Sequence, residues 1–177
     1  MHRQPAYDFV AHGVWAIPGN HEYYFDGERW MDYLSSMGMR MLVNEHTLVR
    51  RENEKLVLAG VTDPTARAYG VEEPNLAKAL AGAPSGAPIL LLDHQPRNAR
   101  LAAAQGVAVQ LSGHTHGGMI VGLDRIVALS NGGFVSGAYQ VGNMTLYVSN
   151  GTALWGGFAL RLGRPAELTR ITLRGAP

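Results

Sequence analysis

The sequence predicts an α/β protein built as a layered sandwich, and three observations carry that reading. Short apolar runs of strand length alternate with stretches of helical periodicity, three of those runs end directly in polar, histidine-bearing clusters, and the last third is strand-like around a Gly142-Asn143 turn. Alternating strands and helices pack helices onto a mostly parallel sheet, and the strand ends of such a sheet are where ligands bind. With 177 residues, one domain spanning 1–177 with a substantial core is expected.

The elements follow in order. Val14-Trp15-Ala16-Ile17 is an apolar run stopped by Pro18-Gly19, which predicts a buried strand ending in a turn at Gly19-Asn20-His21-Glu22. Trp30, Met31, Leu34 and Met37 recur at helical spacing between Asp26 and Gly38, so a helix is expected there. Strands are predicted over Met41 to Val43, His46 to Arg51 and Lys55 to Val61, with Glu52-Asn53-Glu54 turning between the last two. Pro74 opens a predicted helix through Leu80, and Gly82 to Pro88 is a loop.

Ile89 to Leu92 is wholly apolar, the pattern of a strand covered on both faces, and it runs into Asp93-His94-Gln95-Pro96. A helix from Arg97 to Gln105 and a strand from Val107 to Leu111 lead into Ser112-Gly113-His114-Thr115-His116-Gly117-Gly118. From Phe134 onward the chain reads as strand, with Tyr139 to Val148 as a hairpin.

Composition narrows the function classes. Apolar residues make up 46% and charged residues 16%, which favours a folded chain over a disordered one. The 15 basic and 14 acidic residues are scattered, so no stripe tracks a nucleic-acid backbone. No cysteine is present, so a metal here must use nitrogen and oxygen. No apolar run approaches the roughly 20 residues of a membrane span, and Met1 to Pro5 lacks a signal-peptide core. A cytoplasmic location is the favoured expectation.

The chemistry concentrates at three strand ends. His114 and His116 flank one residue on a glycine-rich loop, Asn20 and His21 sit in a turn with Glu22, and His94 ends the most apolar strand. Taken singly, each is as well explained by a loop, a cap or a satisfied histidine. Four histidines and an asparagine at three strand ends are not explained by packing.

These blocks, Gly19-Asn20-His21-Glu22, Asp93-His94-Gln95-Pro96 and Gly113-His114-Thr115-His116-Gly117-Gly118, resemble in order the last three signature blocks of the calcineurin-like metallophosphoesterases. The tail, through Gly137-Ala138-Tyr139, Leu146 to Gly151 and Arg164 to Leu168, is similar to the small bacterial phosphodiesterase branch. The resemblance implies that Asn20, His94 and His114 bind one metal and that His116 serves a second. It further implies that His21 assists the leaving group, with Glu22 holding its imidazole in the charged form. Two cations about 3.5 to 4 Å apart clamp a phosphoryl group and activate water, and nitrogen and oxygen ligands suit Mn, Fe, Zn or Ni.

The family pattern opens with an Asp-x-His block and a Gly-Asp block, and neither occurs in this sequence. The expectation is a metallophosphoesterase-like domain incomplete at its N-terminus, lacking the opening βαβ units and holding at most one firmly bound metal per protomer. An exposed Val14 to Ile17 edge would favour a homo-oligomer, with Met1 to Phe9 exchanged so that Asp8 or His2 reaches a neighbouring site. Asp93, pointing opposite to His94, is expected in a supporting or structural role. His2, His12 and His46 are read as structural, and Tyr23 and Tyr24 as pocket rim or packing. Arg161 and Arg164 offer planar forks to a phosphate but are expected to be solvated. Function is expected to be metal-dependent hydrolysis of a small phosphate ester, with an inactive binding or structural remnant as the alternative and another ester or amide hydrolase as a third.

Overall fold

The computed structural model describes residues 12–155 and 159–174; the expected exchange of Met1 to Phe9 lies outside the described residues. The architecture is mixed α/β, with a six-stranded sheet flanked by helices and a smaller two-stranded sheet. The small sheet pairs β1 (Val14–Ala16) in parallel with β2 (Met39–Met41), joined by α1 (Asn20–Tyr24) and α2 (Gly27–Ser36). The large sheet comprises β3 (Glu45–Arg51), β4 (Glu54–Gly60), β5 (Ile89–Leu92), β6 (Val109–Ser112), β7 (Gly137–Val141) and β8 (Met144–Val148). Their spatial order is β3-β4-β5-β6-β8-β7.

Strands β4, β5, β6 and β8 are mutually parallel, while β3 and β7 close the two edges antiparallel. Four central strands therefore end at one edge, and the residues just beyond them, Asp63, His94, His114 and Asn150, gather there. The register Ala59 to Leu91, Leu91 to Gln110 and Gln110 to Leu146 puts these residues on one face. That face is covered by α3 (Leu76–Ala79), α4 (Ala99–Ala104) and Phe134. Burying a side chain such as Leu91 or Leu146 contributes roughly 1.5–3 kcal/mol, and both are almost wholly inaccessible. The opposite face is thinner: Leu90 and Leu92 are half-buried, so coverage of β5 on both faces is only partial. The tail crosses that side, where Tyr147 on β8 donates its hydroxyl to Glu167.

Several elements depart from the sequence expectation for local reasons. The Gly19 to Glu22 turn is a helix, α1, because the Glu22 carboxylate accepts the Gly19 N–H at 2.7 Å and caps its first turn. Strand β2 lies two residues earlier than Met41 to Val43; after it Asn44 takes a left-handed φ of 54° and spends its side chain on Thr62 and Asn75 N–H. The helix expected from Pro74 starts at Leu76, since Asn75 caps the Lys78 N–H at 2.9 Å. Helix α5 (Asp124–Ser130) was not read from the sequence. Beyond β8 the expected strands give way to an irregular tail, held by isolated bridges of Ile120 to Leu162 and Gly163.

Helix α2 forms where expected, capped by Asp26, yet none of its residues is buried, and Phe25 and Trp30 remain 69% and 42% exposed. No described helix is long and apolar enough to cross a membrane.

Candidate metal centre

One cavity of about 310 Å³ opens at the strand-end edge and is lined by Asn20, His21, His94, His114 and His116, with Val127, Ser130 and Asn131 from α5 and Trp155 opposite. Asn20 is delivered by β1 and the start of α1, His94 by β5, and both His114 and His116 by the loop after β6. The close approach of β1 and β5 demands a glycine, because a Cβ at Gly19 would sit 2.9 Å from the His94 ring.

Three donor atoms converge. His94 Nε2 lies 2.9 Å and His114 Nδ1 3.3 Å from Asn20 Oδ1, and the two rings meet edge to face with centroids 5.1 Å apart. The Asn20 amide is turned by its own Nδ2, which donates to the Tyr24 hydroxyl at 3.2 Å. The loop that aims His114 and His116 is strained at the histidines themselves, with φ of 66° and 50°, as well as at Gly117 and Gly118. Non-glycine residues held in that region cost of order 1 kcal/mol or more and concentrate at functional sites.

His116 faces the same cavity but is held differently. Its Nδ1 lies 3.1 Å from the Ala153 carbonyl and its ring stands edge-on to Trp155 at 6.4 Å. His21 is exposed on the rim, 5.3 Å from the Tyr24 ring. Glu22, expected to hold the His21 imidazole, spends its carboxylate on the α1 cap instead, because consecutive helical side chains diverge by about 100°.

Burial sets the charge state of the cluster. It lowers the His94 pKa and brings His114 down to about 4, with the neighbouring imidazole adding to the effect, so both rings are neutral at pH 7. His116 is lowered as well, first by burial. The buried Asp93 carboxyl, next to His94 in the chain, is pushed up to about 7 by desolvation, and its Oδ1 has no hydrogen-bond partner among the described residues.

The fold also brings here residues that the sequence reading left without a committed role. Asp63, fully buried after β4, accepts both Gln95 Nε2 contacts (3.0 and 2.9 Å) and the Thr65 N–H, and so braces the His94 loop from behind. Asn150, after β8, accepts from Ser136 Oγ at 2.7 Å and packs against Gly117. Asp-Pro and Ser-Asn-Gly read locally as turns; only the parallel pairing of β4 and β8 moves them to the site. Arg161 and Arg164, expected to be solvated, are half-buried and bonded: Arg164 to Asp124, and Arg161 to backbone carbonyls around His116. Tyr23 is buried, Tyr24 is exposed beside Asn20, and His46 bonds the Ala79 carbonyl at 2.7 Å.

Known proteins share this sequence and fold. The chain is 39% identical over 93% of its length to a bovine transmembrane protein with metallophosphoesterase domain. It is 36% identical over 92% of its length to an uncharacterized metallophosphoesterase of Helicobacter pylori, and 32% identical over 92% to one of Aquifex aeolicus. The chain is a metallophosphoesterase homologue. It spans 39%, 43% and 61% of the length of those three relatives. No family model matches it. The solved sulfate thiohydrolase SoxB of Thermus thermophilus, in complex with glycerol, matches 76% of the chain and 27% of its own at a TM-score of 0.56 and 16% identity, which shows a shared fold.

A metallophosphoesterase homologue implies a divalent cation, and the residues fit one. Separations near 3 Å between Asn20 Oδ1 and the two ring nitrogens match the edges of a shell with bonds of about 2.0–2.2 Å. Neutral imidazole and amide oxygen are donors that such a cation accepts. Among the described residues no carboxylate lines the cavity to bridge a second cation beside His116, and two dications without a bridging anion repel strongly.

Proposed function

We propose that this site hydrolyses phosphate esters, phosphodiesters in particular, using one divalent cation held by Asn20, His94 and His114. The observation that carries the reading is the convergence of those three donor atoms at the ends of β1, β5 and β6. When bound, the cation supplies Lewis-acid polarisation of the phosphoryl group and a lowered pKa for a nearby water; Mn, Fe, Zn and Ni all suit the donor set. The chain's own residues do the rest. Asn20, oriented by Tyr24, and the two neutral rings fix where the phosphoryl group sits. On this reading His21, exposed on the rim, gives a proton to the leaving oxygen, and Glu22 secures the helix that carries it. His116 and Trp155 bound the far side of the cavity.

Hydrolysis of bis(p-nitrophenyl) phosphate with added manganese tests the reading. Activity that a chelator abolishes and His21→Ala depresses supports it; equal activity with and without chelator sinks it. A second reading, a binding or structural module without catalysis, draws on one fact: among the described residues no group of three His, Cys, Asp or Glu side chains is arranged to hold a metal. Manganese binding without turnover of any phosphate ester would select it. We also infer self-association through β1, which pairs with β2 on one side and with no other described strand. Light scattering that returns a monodisperse monomer would exclude it.

A further inference from the structure

We propose that Arg161 is a positioning residue that fixes the tautomer of His116, through the Ala153 carbonyl, so that Nε2 is the lone-pair atom offered to the cavity. The guanidinium sits where the tail passes under the His114–His116 loop. Nη1 donates to the carbonyls of His116 (3.1 Å), Arg164 (3.2 Å) and Pro165 (3.4 Å). Nη2 donates to the carbonyls of Ala153, Asn150 (2.9 Å) and Gly151 (3.3 Å). Arginine presents its donors in a planar fork that a lysine cannot reproduce. Among the described residues it makes no ion pair with a carboxylate, so its charge is held by backbone dipoles alone.

The proton on His116 follows from what each neighbour of Nδ1 can do. His116 Nδ1 has two neighbours with opposite demands: the Ala153 carbonyl at 3.1 Å, which accepts, and Arg161 Nη2 at 3.4 Å, which donates. Nη2 carries two hydrogens, which the nearer Ala153, Asn150 and Gly151 carbonyls already share. A carbonyl oxygen can only accept, so the nearer contact, at 3.1 Å, requires the hydrogen on Nδ1. Nδ1 therefore keeps its hydrogen and gives it to Ala153, leaving Nε2 bare. The carbonyl can play that part only because the Arg161 fork pins it, together with the Asn150 and Gly151 carbonyls, to the backbone of His116 itself. A backbone carbonyl receiving the far N–H of a histidine is the arrangement that orients imidazole toward a cation. The assignment of the tautomer stands without any cation; that Nε2 faces a site of phosphate-ester hydrolysis rests on the function proposed above.

Two measurements separate those parts. In the metal-free, ¹⁵N-histidine-labelled chain at about pH 8, above the ordinary imidazole range, long-range ¹H–¹⁵N spectra should show His116 protonated on Nδ1. An Nε2–H pattern overturns the proposal whatever the metal does. Arg161→Lys and Arg161→Met should shift His116 toward a mixture of tautomers, while manganese binding in calorimetry, which rests on Asn20, His94 and His114, should stay within roughly tenfold of wild type, below the full cost of losing the outer partner of a ligand. Variants that fold by circular dichroism and keep the wild-type tautomer would overturn it as well. If the variants do not fold, the wild-type spectrum still decides the tautomer. Loss of manganese binding in the wild type itself would count against the proposed function and leave the tautomer assignment intact.

Discussion

The two sides of the cavity are fastened to the protein by different means. Asn20, His94 and His114 project from the ends of β1, β5 and β6, so their backbones are continuous with strand ladders and their donor atoms already touch. His116 lies two residues further along the same strained loop, and its ring and carbonyl are held by Ala153 and Arg161 from irregular chain after the last strand. The first side inherits the rigidity of the sheet, whereas the second is as rigid as the hydrogen bonds of one guanidinium. Cation affinity should accordingly reside in the first and adjustment in the second.

The largest effect should come from cutting the sheet-borne side. His94→Ala removes one of three donors and leaves Asn20 without its nearer ring; manganese affinity by calorimetry is expected to fall by more than roughly 100-fold, beyond the loss typical of an outer partner. His116→Ala should stay within roughly tenfold of wild type. Equal losses would show that the cavity is one site, not two sides. Next is the separation of chemistry from binding: His21→Ala is expected to depress diester hydrolysis by at least roughly 100-fold, the scale of one proton-transfer group, with manganese affinity unchanged. A parallel fall in affinity would move His21 into the cation shell.

This division also marks how far the sequence could be read. Val14 to Ile17, Ile89 to Leu92 and Val107 to Leu111 are apolar runs that stop at polar clusters, and period and punctuation suffice to make them strands. Asn20, His94, His114 and His116 could be named because their residue types and flanking turns are local signals. Asp63, Asn150 and Arg161 could not be given the places they take, although the Arg161 fork could be named. Their contributions depend on which strands lie side by side and on where an irregular tail is laid, and neither leaves a period in the sequence. Helix α5 was hidden by the same limit, since Val127 and Ser130 turn to the cavity while Ile126 and Leu129 are 64% and 84% exposed, so no apolar stripe faces a core.

A stability effect tests how the sheet-borne side is mounted. Gly60 ends β4 beneath the small sheet, and a Cβ there would lie 2.5 Å from Leu42 Cβ and 2.7 Å from Ile17 Cγ2. Gly60→Ala should cost about 1–3 kcal/mol by overpacking, read as a lower urea midpoint. Asn20 follows Ile17 by three residues, so manganese affinity should weaken too, while the His116 tautomer stays unchanged. An unaltered midpoint would mean that β1 and β2 are only loosely docked on β4.

The smallest effect is a change of slope with pH, and it turns on Asp93. Burial raises its carboxyl from 3.8 to about 7, so in the metal-free protein the folded state holds a proton that the unfolded chain releases. That group stabilises the fold below about pH 4, and the contribution is lost as pH rises toward about 7. His114 works the other way. Its pKa falls from 6.5 to about 4, first through burial, so its contribution is present above about pH 6.5 and is lost as pH falls toward 4; His94 is lowered in the same direction. Between about pH 4 and 6.5 the two slopes oppose, each limited to about 1.4 kcal/mol per pH unit for one proton. Asp93→Asn deletes the carboxyl slope and leaves the imidazoles, so the stability of the metal-free variant should rise with pH across that window more steeply than wild type. Its gain over wild type should be greater at about pH 8 than at about pH 5. Urea midpoints that run parallel for the two proteins from pH 4 to 8 would show that the Asp93 carboxyl is already ionised within the fold, and its Oδ1, without a partner among the described residues, would then need a cation or solvent to hold it.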